Sequence, residues 1–193
     1  MTSQRHTAEG TERRGTPLLD AARECVLDVG LRRTTLADVA RRAGVSRMTV
    51  YRQYADLQTL VSALLTRELL EVFEAVDTEV RPLPTARERL VAAALLVVGR
   101  VDSNDVYRRV LDLDPEMLLP LVVDRFGSTQ RAALELVAGQ VREGQSDGSV
   151  RAGDPERMAT AVLLTCQSFV FSARLVDDAT LAELRPMLDG YLR

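Results

Sequence analysis

The chain has 193 residues, 46% of them hydrophobic, and a formal net charge of −3. That is enough chain for one large domain or a small one beside a medium one, too apolar for a disordered segment, and too acidic overall for a generally adhesive nucleic-acid binder. A single histidine in a polar tail excludes a histidine-based catalytic triad and a zinc site with two histidine ligands, so no metal and no other cofactor is expected.

Residues 1–16 are polar and 1–13 read as a flexible arm; Arg5, Arg13 and Arg14 in this stretch are cations able to reach a minor groove. A first helix fits residues 17–29: Thr16 caps it, Pro17 takes its first position and Gly30 ends it. Leu18, Ala21, Ala22, Cys25, Val26 and Val29 form its inner stripe. A second helix, about 36–43, opens on Thr35 with Asp38 three residues on, an acidic variant of the capping box. Gly44 supplies the backbone freedom of a sharp turn, and Ser46 caps a third helix over 47–53. Leu36, Val39, Ala40, Val45, Val50 and Tyr54 fall where a small three-helix core wants them. Arg41, Arg42, Arg47, Arg52 and Gln53 fall outside it. A short polar helix that carries arginines and follows such a turn suits the DNA major groove. Charge agrees: residues 1–60 hold ten arginines against seven acids, whereas 61–193 hold fifteen against twenty-one. Every basic residue is arginine, so each phosphate or guanine contact comes from a guanidinium or a neutral donor.

Asp56 caps a longer helix to about Val80, and Pro82 and Pro84 break it. A fifth helix fits 86–101. It is apolar all round from Leu90 to Val98, which predicts a buried central helix; nine residues are too few for a bilayer, which needs about twenty. Residues 102–113 read as a more polar helix, 116–126 as a further segment interrupted by Pro120, 128–143 as an amphipathic helix, and 144–153 as a glycine-rich loop. Asp154-Pro155-Glu156 starts a helix to about Leu175, and Asp178 starts the last one. Two apolar helices at the C-terminus suit a dimer bundle. Met158, Ala161, Val162 and Thr165 supply one half of that face, and Leu181, Leu184, Leu188 and Tyr191 the other. Cys25 and Cys166 sit in apolar helical patterns and read as core residues of a protein in a reducing compartment. With no signal peptide visible, the expected location is the cytoplasm. The fold class is all-α with about nine helices: a three-helix DNA-binding domain over 14–74 and a larger ligand-binding and dimerisation domain over 75–193.

Thr35-Leu-Ala-Asp-Val-Ala, Ala43-Gly-Val-Ser and Thr49-Val-Tyr-Arg-Gln-Tyr54 resemble, in order and spacing, the signature of the TetR family of bacterial transcriptional regulators. The likeness covers residues 17–64. It implies that Thr35 meets a phosphate, that Ser46, Arg47, Met48 and Thr49 face base edges, that Tyr51 packs and reaches a phosphate, and that Arg52 and Gln53 contact bases or backbone. One position departs from the pattern: Leu57 follows the cap of the fourth helix where the family usually carries a phosphate-binding lysine. That contact is missing, or Arg52 covers it.

The resemblance further implies a homodimer on a near-palindromic double-stranded operator, and a small-molecule effector in the larger domain. The candidate lining is Leu95, Val98, Tyr107, Val110 and Leu111, then Met117, Leu121 and Phe126, then Leu134, Cys166 and Phe169. Most of these are aliphatic and tryptophan is absent, so an apolar or mixed ligand is expected rather than a flat cation stacked between rings. The alternative is a DNA-binding dimer that answers to a protein partner and has no ligand pocket. An enzyme is not expected: the sequence carries no metal-ligand cluster and no phosphate loop.

Overall fold

The computed structural model describes residues 5–114 and 127–193, the side chains of 5–16, 128 and 129 excepted. Among the described residues every regular element is helical: α1 (Arg5–Val29), α2 (Leu36–Arg42), α3 (Arg47–Gln53), α4 (Leu57–Val80), α5 (Ala86–Ser103), α6 (Asp105–Leu113), α7 (Ser128–Ser146), α8 (Pro155–Ser172), α9 (Asp178–Ala182) and α10 (Leu184–Leu192). Single 3-10 turns lie at Leu31–Arg33 and Ala173–Leu175. The all-α class with an N-terminal helix-turn-helix is the one that the helical spacing and the caps around Gly44 imply.

The chain divides into two compact units, and the division falls inside α4. The first unit takes in the chain as far as Glu68 together with α6. Here α1 buries Leu18, Ala21, Ala22, Cys25 and Val26 at spacings of three and four residues, with Val39, Ala40, Val50, Tyr54, Leu60 and Leu64 packed in the same interior. Val29, read as part of that stripe, is exposed, because the helix ends there and Gly30 turns the chain away at a φ of 80°. α6 adds Val106, Val110 and Leu111 and packs on α1. Its place in the chain suggests the larger domain instead; an apolar stripe does not name its partner.

Helix α1 also begins earlier than expected. It is helical from Arg5, and Pro17 lies inside it, where the missing N–H forgoes one helical hydrogen bond. Polarity made 1–13 read as an arm, but Ala, Glu and Arg favour helix irrespective of burial. The side chains of Arg5, Arg13 and Arg14 lie outside the described residues.

The second unit contains α5, α7, α8 and α10 around Leu90, Val91, Ala94, Val98, Val141, Val150, Met158, Val162, Leu184, Leu188 and Leu192. The apolar run on α5 is buried along one face only; Ala92, Ala93, Leu95, Leu96 and Val97 are half-buried. The segment after α7 is a working part of this unit rather than a spacer. All four N–H groups that open α5 find acceptors. Glu88 N–H donates to the Thr85 hydroxyl oxygen at 3.2 Å, and Thr85 N–H to the Glu88 carboxylate at 3.3 Å. Ala86 N–H donates to Asp147 Oδ2 at 3.0 Å, and Arg87 N–H to the Ser149 hydroxyl oxygen at 3.2 Å. A helix start without such partners leaves these donors unsatisfied. Arg151 completes the tie: its N–H donates to Leu192 O at 2.8 Å, and its guanidinium lies 4.7 Å from the centre of the Tyr191 ring.

The last helix is two. Asp177, not Asp178, caps α9, with its carboxylate accepting Thr180 N–H at 2.8 Å. The chain then breaks at Glu183, because Pro186 has no N–H for the Ala182 carbonyl and its ring crowds that carbonyl.

Gly144 lies within α7 because Val150 folds back onto it: Val150 N–H donates to Gly144 O at 2.8 Å, and a side-chain carbon at 144 would sit 2.9 Å from Val150 Cβ. Gly139, on the same helix, has open space around it. Gly144→Ala should therefore destabilise the protein by about 1–3 kcal/mol through overpacking, while Gly139→Ala should stabilise it by about 0.5–1 kcal/mol by removing glycine's backbone entropy. Urea unfolding of the two variants against the parent measures both signs.

Candidate nucleic-acid interface

Short-range chemistry sets the geometry of α2 and α3. Thr35 caps α2: Asp38 N–H donates to its hydroxyl oxygen at 3.1 Å, and the hydroxyl donates to Asp38 Oδ2 at 2.6 Å. Arg41 adds a bond to Asp38 Oδ1 at 3.1 Å. The Thr35 hydroxyl first, and Arg41 second, hold the Asp38 carboxyl below its ordinary value. At the other end of α2 the N–H of Val45 donates to Ala40 O at 3.0 Å and the N–H of Gly44 to Arg41 O at 3.3 Å. These two bonds make a Schellman motif, and the left-handed residue it requires is Gly44, with φ 67°. Ser46 then caps α3 by accepting Thr49 N–H at 3.2 Å, and the two hydroxyls lie 2.9 Å apart.

Helix α3 is seven residues long and buries one of them, Val50. Val50 is 0% exposed and Tyr54, just past the helix, 8%. Arg47, Met48, Tyr51 and Arg52 form the opposite face, at the i, i+1, i+4, i+5 positions of one helical side. Met48 is 77% exposed and Tyr51 53%, an unusual display of apolar surface for so short a helix. Ser46 is exposed, and Thr49 and Gln53 are half-buried. Thr35, exposed at the head of α2, completes the residues that the sequence singled out for DNA.

The cations at this surface differ in what they face. Arg41 is taken by Asp38, and Arg42 by Asp28 at 2.6 Å and Glu24 at 3.5 Å, which ties α2 to α1. Among the described residues no ion pair uses Arg47, Arg52 or Arg33. The last of these went unnoticed in the sequence; the only signal for it is the Arg32-Arg33 doublet just ahead of Thr35. At the head of α4, Leu57 is half-buried and Asp56 is the cap, accepting Thr59 N–H at 2.7 Å.

The remaining candidates divide between the two units. Of the residues read as pocket lining, Leu95, Cys166 and Phe169 lie half-buried against the core of the second unit, Val98 lies within that core, and Leu134 is half-buried on α7. Burial pushes the Cys166 thiol up to about 11. Tyr107, Val110 and Leu111 belong to the first unit; the Tyr107 hydroxyl donates to Leu65 O at 3.0 Å. Met117, Leu121 and Phe126 lie outside the described residues. A cavity of about 170 Å³ opens in the first unit, lined by Cys25, Asp28, Val29, Arg33, Asp38, Arg41 and Arg42. Its charged rim suits it poorly to an apolar ligand.

Of the residues read as the dimer face, Met158, Val162, Leu184 and Leu188 are spent on the core of their own unit. Ala161, Thr165 and Leu181 are half-buried, and Tyr191 lies beneath Arg151. The stripe that sequence spacing reveals is the inner one. What remains outward is Leu164 on α8, Met187 and Tyr191 on α10, and Leu175 and Val176 at the 3-10 turn between α8 and α9. Residues Pro155–Leu175 have a mean hydropathy of 1.3, enough by length and composition alone for a membrane span, yet only 22% of this stretch is buried within the chain.

Comparison with known proteins agrees with this geometry. Residues 18–64 match the family model for bacterial regulatory proteins of the tetR family. An uncharacterized HTH-type transcriptional regulator of Mycobacterium tuberculosis is 38% identical over 92% of this chain and 94% of its own length. Among solved structures, the fold is shared with RolR in complex with resorcinol (TM-score 0.73, 15% identity, 96% of this chain and 90% of that one). It is shared too with the regulator FadR of Bacillus subtilis in complex with stearoyl-CoA (TM-score 0.64, 16% identity, 92% of this chain and 99% of that one).

The Asp56 cap has a pH signature. Thr59, through its N–H first, holds the carboxyl below its ordinary value of 3.8, so the cap's contribution is full above that value and is lost as pH falls through the lower folded one. Asp56→Asn keeps a capping oxygen and removes the titration. The variant should lose less stability than the parent between pH 6 and pH 3 (~3 units spanning the carboxylate range), read as the shift in urea midpoint.

Proposed function

The chain belongs to the TetR family of transcriptional regulators, and we propose that it acts as a dimeric repressor whose affinity for a near-palindromic operator falls when a small apolar or mixed ligand binds. The observation that carries the reading is the outward face of α3, where two guanidiniums without acid partners flank an exposed methionine and tyrosine. A protein surface that keeps Met48 in water at its own cost has a use for it.

Each part of that face has a counterpart in the major groove. Arg47 and Arg52 can each donate a bidentate pair to guanine O6 and N7, Gln53 can pair with adenine N6 and N7, and Met48 or the Thr49 methyl can pack on a thymine methyl. Ser46, Tyr51 and Thr35 are placed to hold phosphates, which orients the head without specifying sequence. Two heads are proposed because Leu164 on α8, Leu175 and Val176 just beyond it and Met187 on α10 leave apolar surface that a second copy would cover. The location that fits a regulator of this kind is the cytoplasm.

For the ligand, the half-buried aliphatic and aromatic residues of the second unit, Leu95, Leu134 and Phe169 among them, favour an apolar or mixed molecule. RolR and FadR of Bacillus subtilis hold resorcinol and stearoyl-CoA, which lends support to a small-molecule effector without naming one. A ligand lowers operator affinity only by binding the DNA-incompetent arrangement more tightly than the competent one.

Selection of bound duplexes from a random pool, with and without a panel of lipophilic ligands, tests the reading. It should enrich a near-palindrome whose recovery falls with at least one apolar ligand; an asymmetric single half-site counts against the dimer, and a response to polar or cationic compounds alone counts against the proposed ligand class. On the enriched duplex, Arg47→Ala should weaken binding and relax preference at one base pair in each half-site by about 1–3 kcal/mol. A loss that is equal on every sequence would make Arg47 a phosphate contact.

A further inference from the structure

The turn that leads into α2 hangs on a buried carboxylate. Asp114 directly follows α6 and is 1% exposed. Its Oδ2 accepts the N–H of Leu31 at 3.0 Å and of Arg32 at 3.3 Å, and its Oδ1 lies 2.9 Å from Arg32 Nε as an ion pair. One carboxylate thus caps two consecutive N–H groups of the 3-10 turn and holds the side chain of its middle residue. Charge-assisted bonds of this kind are the strong ones, and rotating the turn would strip a buried charge of its partners. On the other side Thr34, also buried, donates its hydroxyl to Gly30 O at 2.8 Å.

With Arg32 held by Asp114 and Thr34 turned inward, the residue between them faces out. Arg33 is exposed and shares the rim of the first unit's cavity with Arg41 and Arg42. Those two are neutralised by Asp38 and by Asp28 and Glu24; among the described residues Arg33 has no such partner. Its position follows from packing: α2 packs on α3, so when α3 enters a groove the segment leading into α2 lies over the rim, where a duplex presents phosphates rather than base edges.

We propose that Arg33 is a DNA-phosphate contact outside the helix-turn-helix and that Asp114 is the residue that positions it. The proposal rests on the DNA-binding reading above and adds a cation that the helix-turn-helix itself lacks. Phosphate contacts act through counterion release: log K falls with log salt with a slope whose magnitude is about 0.9 for each phosphate neutralised.

The test is the salt dependence of binding to the duplex enriched from the random pool. Arg33→Ala, an exposed substitution, should reduce the slope by about 0.9 for each bound head and leave base preference unchanged, while Arg33→Lys should keep the parent slope. Asp114→Ala should reduce the slope alone and have no further effect in the Arg33→Ala background. Should circular dichroism show that Asp114→Ala does not fold, Asp114→Asn, which keeps one acceptor oxygen, takes its place in the same cycle. A parent slope in Arg33→Ala overturns the contact, and an Asp114 effect that adds in full to Arg33→Ala overturns the positioning role. Failure of the parent protein to enrich any duplex would instead defeat the DNA-binding reading, a result distinguishable from a bound duplex with an unchanged slope.

Discussion

A seven-residue helix cannot hold itself together in water, and the interface depends on what holds α3 in place. Isolated helices shorter than about 12–15 residues are marginal even with ideal composition. Helix α3 exists because Val50 and Tyr54 are buried on one side and because Ser46 ends it cleanly at its start. The Schellman turn at Gly44 fixes the angle at which it leaves α2, and Val39 and Ala40 fix α2 against the interior. All the order comes from the inner face. The outer face is therefore free of structural duty, and Arg47, Met48, Tyr51 and Arg52 can be chosen for what they touch.

The same separation governs charge. A chain with a net charge of −3 and no lysine cannot rely on a diffuse positive field. Its acids are instead spent locally on the arginines that have structural work: Asp38 on Arg41, Asp28 and Glu24 on Arg42, Asp114 on Arg32. Around α2 and α3, Arg33, Arg47 and Arg52 are left without an acid partner among the described residues. Exposed ion pairs contribute little to stability. Their effect here is to decide which guanidiniums remain available to a polyanion. Leu57, where the family usually places a lysine, makes that selection more consequential.

What could be read from the sequence was what closes over three or four residues. The caps at Thr35, Ser46, Asp56 and Asp154 and the turn at Gly44 all involve neighbours, and the structure has them where the residues imply. Asp147 under α5 and Asp114 under the 3-10 turn act across 61 and 83 residues, and nothing local distinguishes them from solvated aspartates. Apolar stripes fail for a related reason. Spacing shows that Met158, Val162, Leu184 and Leu188 face something, and the something is their own unit. α6, which carries Tyr107, Val110 and Leu111, packs on α1, and the Tyr107 hydroxyl bonds to Leu65 O on α4. Pro17 and Pro186 show the limit of proline as punctuation: the first sits inside a helix, and the second divides one.

The outward apolar surface of α8 and the information content of α3 lead to the same requirement. With Met158 and Val162 committed to the interior, Leu164 and the exposed side chains at Leu175 and Val176 remain uncovered, and water penalises that area at about 25 cal/mol per Å². Covering it by pairing two copies would also double the readout. Two bidentate guanidiniums in one head discriminate by about 2–6 kcal/mol. Specific regulators exceed their own non-specific binding by about 4–10 kcal/mol; one head reaches the lower part of that range and two heads cover most of it. A head whose recognition helix carries two unpaired arginines gains from having those contacts duplicated at a fixed spacing. The economy of charge at α3 thus makes the proposed dimer a condition of recognition.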